Sequence, residues 1–411
     1  MNKKQTIWLI GLLLIAVMLR LAMIARISRN PLVGDAFQYD TIAWNVASGN
    51  GYQSGVGASH LYPTASRGPS YVLFVAFVYR VAGHNKLFPM LAQVMLEVIS
   101  CLLVVRICRQ LFRRTDVGLI AASIYAVYPP FILISSAVLT ESLINLLLLA
   151  AISGFLDYAD YGKRWALYAG AVAIGIAALS KPILAPLPIV FFLSTCRGMP
   201  LRQSLKGLAA QLVLIALVMS PWIIRNFLTF HAFIPGVTQG GITFWRATQE
   251  ADRGTDGSLP PAARQAIDRL SEPQREKWYY REGMRKIRED PKPQVALALK
   301  RIGQLWFNLL YRDPPSKESM ALAGFNFACL VLSAIAVVVY RPKRGAVLLL
   351  LLLQFTILQM PFAVTFRHAQ SAYAFIFCFT AAGLVALGER LFGSHRDLQD
   401  TPGQGKAFIP T

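Results

Sequence analysis

Two carboxylates stand out in a chain of 411 residues that has only 21 acidic ones. Asp35, in Pro31-Leu32-Val33-Gly34-Asp35, follows a turn signal and opens a helical pattern. Glu141, in Val138-Leu139-Thr140-Glu141-Ser142, stands where an apolar run begins. Each has a structural role open to it, because an acid in the first turn satisfies orphan N–H groups and favours the helix dipole. Each also has a chemical role open to it. A carboxylate at the water boundary can take the proton of an attacking hydroxyl, and an acid at a membrane helix end is a functional candidate. Tyr39 falls one turn after Asp35 on the same face, while Asp40 is rotated away and reads as structural. Asn145 lies one turn beyond Glu141. Cations recur at similar boundaries: Arg67 before Gly68-Pro69, Lys181 in Leu179-Ser180-Lys181-Pro182, Arg225 in Trp222-Ile223-Ile224-Arg225-Asn226, and Arg367 beside His368. Several cations at one face suit a phosphate or diphosphate, although any one of them is equally served by snorkelling to the interface.

The elements that must position these groups are apolar helices. Hydrophobic residues make up 55% and charged residues 15%, against about 25% charged in soluble domains. Residues 6–19, 347–358 and 371–387 are nearly continuous apolar runs of helix length. Only helices and closed barrels satisfy their own backbone in lipid, and the runs do not alternate as barrel strands would. The expected fold is an all-α polytopic membrane bundle of about ten spans. They lie near residues 6–26, 87–108, 117–138, 142–159, 164–181, 182–196, 206–224, 320–340, 345–365 and 370–389. Residues 69–82 are too short for an easy span and read as an interfacial or re-entrant helix. The first span, after Lys3 and Lys4, reads as uncleaved.

The net charge of +20 invites a nucleic-acid reading, but the placement of the charges argues against one. Arg106, Arg109, Arg113 and Arg114 separate two apolar runs, as do Lys163 and Arg164, then Arg197, Arg202 and Lys206, then Arg341, Lys343 and Arg344. Such clusters orient a chain in the membrane and mark the cytoplasmic side. Both termini then lie inside, and two long segments, 27–86 and 225–319, lie outside. The expected organisation is a transmembrane catalytic module over 1–226, an outer region over 227–319, membrane helices over 320–393 and a disordered cytoplasmic tail over 394–411. Within the outer region, 264–288 has a helical pattern interrupted at Pro273, and 294–311 has apolar residues at near-helical spacing. Gly240-Gly241-Ile242-Thr243-Phe244-Trp245 suits either a plain turn or a sugar-stacking lid. The five cysteines show no metal or redox spacing. No metal signature appears, so no cofactor is expected; Asp35, Glu141 and His60 are the groups from which a divalent metal site would have to be built.

The outer loops resemble a known family. Gly34-Asp35, Tyr39-Asp40, Ala43, Asn45 and Gly49-Asn50-Gly51-Tyr52 are similar to the first outer loop of glycosyltransferase family 39. Those are membrane enzymes of the GT-C fold, related to protein O-mannosyltransferases and lipid A aminoarabinose transferases. Arg67-Gly68-Pro69-Ser70-Tyr71, Leu139-Thr140-Glu141, Leu179-Ser180-Lys181-Pro182, Pro221-Trp222-Ile223-Ile224-Arg225-Asn226 and Gly240-Gly241-Ile242-Thr243-Phe244-Trp245 follow in the same order. The resemblance covers roughly residues 6–312. It implies Asp35 as catalytic base, Glu141 as the second acidic position, and Arg67, Lys181 and Arg225 as contacts for a lipid phosphate. Arg367 would be a further substrate contact from the last helix, and Tyr39 one from the first loop.

The expected function is therefore transfer of a sugar from a polyprenyl-phosphate donor to a lipid, glycan or protein acceptor on the non-cytoplasmic face, with inversion at the anomeric carbon. A bacterial cell membrane is the expected location, and no nucleic acid is involved. A lipid or sugar flippase without transferase chemistry is the alternative. It would want charges inside the spans, broken helices and two similar halves, and Pro182, Pro186 and Pro188 could mark such a break.

Overall fold

The computed structural model describes residues 1–57, 60–196, 198–249, 259, 261–307 and 316–391. The expected tail over 394–411 lies outside the described residues. The chain is an all-α polytopic membrane protein. Helix α1 (Lys3–Ile27) starts at a reciprocal cap between Asn2 and Gln5. The chain then reverses into α2 (Gly34–Ala47), where Gly34 has φ +58, a conformation that costs glycine least. A short antiparallel pair, β1 (Gln53–Ser54) and β2 (Tyr62–Pro63), closes the loop that follows α2. Helix α3 (Pro69–Ala82) packs on α2 through Tyr71, Val72, Val75 and Tyr79, and exposes Phe77 and Val81 on its far side.

The bundle continues with α4 (Leu87–Phe112), α5 (Thr115–Val127), α6 (Pro129–Ser135), α7 (Glu141–Tyr161), α8 (Arg164–Ser180), α9 (Leu187–Thr195) and α10 (Leu201–Phe230). The Pro129-Pro130 pair breaks one apolar run into α5 and α6, bent by 58°. After α10 come α11 (Gly240–Ala247), α12 (Pro261–Asp268), α13 (Glu272–Glu289) and α14 (Pro291–Phe307). Helices α15 (Lys317–Tyr340), α16 (Ala346–Gln359) and α17 (Gln370–Leu391) complete the bundle. Each of the ten segments expected as spans contains helix, but 117–138 is broken at Tyr128, 182–196 starts with a 3-10 turn, and the helix of 345–365 ends at Gln359. Among the described residues six helices are long and apolar enough to cross a membrane, or seven with the bent pair counted as one, while α3, α8, the 182–195 stretch and α16 are apolar but shorter. A count of ten crossings is thus not established.

Helix α17 is the central post, with every residue from 370 to 383 buried. Around it, α1, α10, α15 and α16 turn residues such as Ile7, Leu14, Leu217, Val338 and Leu349 outward, as lipid-facing helices do. The basic connections meet at one end of the bundle. There Arg114 pairs with Glu389 at 2.7 Å and Arg344 with Asp160 at 3.7 Å. The starts of α7 and α17 lie at the opposite end.

Helices α11, α12 and α13 form a small unit around Trp245, Ile267 and Tyr279. Glu272 of α13 ties this unit to the loop carrying Thr64 and Ala65, and Glu276 ties α13 to α11 within it. Glu272 accepts from Ala65 N at 2.8 Å, from Thr64 Oγ1 at 2.9 Å and from the Thr238 hydroxyl. Glu276 accepts from Gly241 N at 2.8 Å. The helical pattern over 264–288 breaks at 269–271 rather than at Pro273. Pro273 lies in the first turn of α13, where its missing N–H is not needed, and Ser271 and Gln274 form a reciprocal cap. The paired glycines are also explained: a Cβ on Gly241 would stand 2.4 Å from Glu276 O. Gly240-Gly241 is therefore a crossing point between α11 and α13.

Candidate active site

Five segments distant in sequence deliver charged groups to one place. Gly34 turns the chain so that Asp35 opens α2. Its Oδ1 pairs with Arg67 Nη2 at 2.5 Å, and its Oδ2 pairs with Arg367. Arg367 lies in a short 3-10 turn, Phe366–Ala369, just before α17. Its Nε also reaches Glu141 Oε1 at 3.2 Å, so one guanidinium bridges both carboxylates. Lys181 Nζ stands 3.7 Å from the same Glu141 oxygen.

The loop carrying Arg67 is held against the end of α8. A Cβ on Gly68 would meet Leu179 O at 2.1 Å, and the hydroxyls of Ser70 and Ser180 are 2.5 Å apart. This close approach brings Arg67 and Lys181 to the same wall. Arg67 is oriented further by Gln38 Oε1, which accepts from its Nε at 2.9 Å, and by the Tyr39 ring, whose centroid lies 5.3 Å from its guanidinium carbon.

The cluster opens onto a cavity of about 2220 Å³. Asp35, Tyr39, Arg67, Glu141, Lys181 and Arg367 all line it, together with residues of the 231–249 segment, α13 and α14. Asp35 and Arg367 also line a smaller cavity of about 370 Å³ beside Ile27, Val33 and Leu139, so they stand in the partition between the two. The side chain of Asp35 is 28% exposed, whereas that of Glu141 is 3% exposed. Burial by itself raises the Asp35 pKa, but the charges and hydrogen bonds of Arg67 and Arg367 outweigh it and hold the carboxyl below its usual value. Burial pushes the Tyr39 phenol up to about 12, so it stays neutral. Glu141 Oε2 and Lys181 Nζ are buried without a hydrogen-bond partner among the described residues. Both belong to residues that line the cavity, and each atom has bonding capacity left unused.

Arg225 does not join this cluster. It is absent from the cavity wall; its guanidinium donates to Thr64 O at 2.8 Å, to Tyr52 O at 2.9 Å and to Asn226 Oδ1 at 2.9 Å. It is also flanked by the rings of Tyr52, Trp222 and Phe230 at 5.1 to 5.4 Å. It thereby fastens the loop between α2 and α3 to the end of α10. Asp40 accepts from Tyr79 and pairs with His84 Nε2 at 3.2 Å, a structural contact between α2 and α3. His60 is exposed and does not line the cavity. Among the described residues no group of three His, Cys, Asp or Glu is placed to hold a metal ion.

Sequence reasoning missed Gln38 and the part of the cavity wall built by α13 and α14. Gln38 had a signal, since it stands three residues after Asp35 on the same helix face. The outer wall had none, because Glu276, Lys277, Lys300 and Arg301 look like any solvated helix charges.

Residues 66–224 match the family model described as dolichyl-phosphate-mannose-protein mannosyltransferase. Comparison with curated proteins gave no match. Among solved structures, the archaeal oligosaccharyltransferase AglB from Archaeoglobus fulgidus, in complex with an inhibitory peptide and a dolichol-phosphate, is similar with TM-score 0.59 at 14% identity, over 98% of this chain and 53% of that one. A second structure of the Archaeoglobus fulgidus oligosaccharyltransferase, tethered with an acceptor peptide, gives TM-score 0.56 at 15% identity, over 93% of this chain and 50% of that one. The chain spans about half the length of these proteins, and the likeness is one of fold: a GT-C-type membrane bundle.

Proposed function

We propose that this GT-C-type chain is a membrane glycosyltransferase that moves a sugar from a polyprenyl-phosphate donor to an acceptor on the non-cytoplasmic face, with inversion. The observation that carries the reading is the single Arg367 guanidinium bridging Asp35 and Glu141 on the wall of a large cavity, with Arg67 and Lys181 beside it. The match of residues 66–224 to a family named for a lipid-phosphate-sugar donor supports it.

The chemistry follows from charge. In the arrangement described, Asp35 is a weak base because two guanidiniums stabilise its ionised form. A donor phosphate entering the cluster competes for Arg67 and Arg367 through charge-assisted, bidentate hydrogen bonds. As the arginines turn to the phosphate, Asp35 loses its partners and its basicity rises. The donor thus arms the base that its own reaction needs. Asp35 then takes the proton of the acceptor hydroxyl as the oxygen attacks the anomeric carbon. The bond from that carbon to the phosphate oxygen breaks on the opposite side, and polyprenyl phosphate leaves. Arg67, Arg367 and Lys181 stabilise the charge growing on the leaving phosphate, and Glu141 holds Arg367 and orients a sugar hydroxyl through its free Oε2.

The basic connections at the other end of the bundle face the cytoplasm by the positive-inside rule, which puts the cavity outside, in a bacterium on the periplasmic face of the inner membrane. A flippase would use charges within the spans. Of the charged pairs on the bundle helices, Arg20 and Glu97 are enclosed, with Arg20 donating to the Ala16 and Ala126 carbonyls, and Arg106 pairs with Asp157 at 2.6 Å between α4 and α7; both read as structural.

The test is transfer by the purified protein in lipid nanodiscs, given a labelled polyprenyl-phosphate sugar and a cell-envelope lipid and protein fraction. Label should move to an acceptor, and Asp35→Asn should lose that transfer while retaining donor binding. Movement of donor between leaflets without any transfer would sink the reading.

A further inference from the structure

The partition between the two cavities sorts the charged groups. Arg67, Lys181 and Glu141 line the large cavity and not the small one, whereas Asp35 and Arg367 line both. Among the described residues Asp35 and Arg367 are the only charged groups on the wall of the small cavity, and they pair with each other. That wall therefore offers a phosphate no surplus cation. Apart from Asn30, its other residues are apolar, with Ile27, Leu32, Val33, Met90 and Leu139 the largest. An apolar pocket of about 370 Å³ with a few polar groups is the usual form of a ligand site.

The place of this cavity in the fold points to the bilayer. It is built where α1 ends and where α2 and α4 begin. Helices α1 and α4 turn Leu19, Leu21, Leu91 and Met95 outward on the surface that faces lipid. Val33 lines the cavity and is 73% exposed, so the cavity meets the outer surface there. Inversion then divides the two substrates, because the hydroxyl attacks from the side opposite the leaving phosphate. Arg67 and Lys181 assign the phosphate to the large cavity, where Phe233, Ile234 and Val237 give the donor's own chain an apolar way out. Asp35, which must receive the hydroxyl proton, is open to the small cavity as well.

Building on the transferase reading, we propose that the small cavity is the acceptor site and that the acceptor is a membrane lipid, its apolar chain lying along Ile27, Val33, Met90 and Leu139 and its hydroxyl meeting Asp35 from that side. The lipid oxygen bonds to the anomeric carbon and its proton passes to Asp35. The bond from that carbon to the phosphate oxygen breaks, and its electron pair leaves with polyprenyl phosphate. A polar acceptor such as a free glycan or a loop of a soluble protein would gain nothing from this apolar wall.

The experiment gives full-length protein in nanodiscs a labelled polyprenyl-phosphate sugar together with either the total lipid extract of the cell envelope or its delipidated protein. Label should appear in the lipid arm. Two variants narrow the cavity from different elements: Ala137→Phe before α7 and Val33→Trp before α2. Val33 is exposed and Ala137 half-buried, so neither change overfills a closed core, and melting temperature checks that each folds. Each should lower transfer about tenfold when the lipid acceptor is scarce, as an ill-fitting pocket does, and change binding of polyprenyl phosphate by less than about twofold. The loss should lie in KM for the lipid, with kcat recovered when the acceptor is abundant. Label on protein alone, or full transfer to lipid by both variants, overturns the proposal and leaves the transferase reading intact. Variants that weaken polyprenyl phosphate binding as much as transfer give the cavity to the donor's chain and overturn the acceptor assignment. No transfer in either arm by the unmodified chain overturns the transferase reading, and this proposal with it.

Discussion

Two of the molecule's arginine–carboxylate assemblies, one in the bundle interior and one on the cavity wall, differ in almost every respect except composition. Arg20 and Glu97 meet at 3.1 Å in the bundle interior, with side chains 0% and 2% exposed. Arg20 also donates to Ala126 O at 3.0 Å, close to the break between α5 and α6, where the prolines that follow cannot continue the helix ladder. Asp35, Arg67, Arg367 and Glu141 form the second assembly, on a cavity wall, with one guanidinium shared and Glu141 Oε2 and Lys181 Nζ left over. The first assembly is closed around backbone and pins a broken helix. The second is open, and its parts can be repartnered. Charge inside a membrane is costly in either place; accessibility and spare bonding capacity separate a structural pin from a site of chemistry.

Substitutions should separate the two. The largest effect is expected at Asp35: Asn in its place should lower transfer by about a thousandfold or more, within the range of a lost general base, with little change in melting temperature. A variant that melts normally and still transfers at an unchanged rate would break the comparison. Next comes Glu97→Gln, which leaves Arg20 charged and unpaired in the interior; loss of one partner of a buried pair costs about 3–5 kcal/mol. Denaturation in detergent should show that loss, while transfer per folded molecule stays the same. Arg367→Ala should reduce transfer by about a hundredfold, the order of one removed charge stabiliser, and should weaken binding of polyprenyl phosphate.

The smallest effect sharpens the picture of the outer unit. Glu276 has its folded pKa raised from 4.5 to about 7, chiefly by burial. The native state therefore binds more protons than the unfolded state between those values, and stability falls as pH rises across that window. Glu276→Gln keeps an acceptor for Gly241 N without the charge. It should raise the melting temperature at pH 8 and leave it unchanged at pH 4. An equal shift at both pH values would contradict the burial account.

How much of this could be read beforehand depended on what each residue's neighbours in sequence reveal. The spans were legible because apolar runs of helix length mean one thing in lipid. Asp35, Glu141, Arg67, Lys181 and Arg367 were legible as candidates because charged groups at span boundaries ask for a reason. Their connections were not legible. Nothing local says that Arg367 bridges two carboxylates more than 200 residues away in sequence, or that Gly68 must lie against Leu179. Arg225 shows the limit most clearly. By type and boundary position it equals Arg67, yet the fold spends its guanidinium on the carbonyls of Tyr52 and Thr64. The wall of the cavity built by α13 and α14 was hidden for a different reason, since these helices carry charges of the ordinary solvated kind until Glu272 docks α13 onto the loop at Thr64 and Ala65.

The most direct test concerns where the open assembly faces and what fills it. Cysteine placed at position 35, in a chain with Cys196→Ser so that the other native thiols are all buried, can be exposed to a membrane-impermeant maleimide in intact cells and in inverted vesicles. Labelling from the outside that is suppressed by added polyprenyl phosphate is the expected result. Labelling only in inverted vesicles, or labelling that the lipid phosphate leaves untouched, would contradict the account.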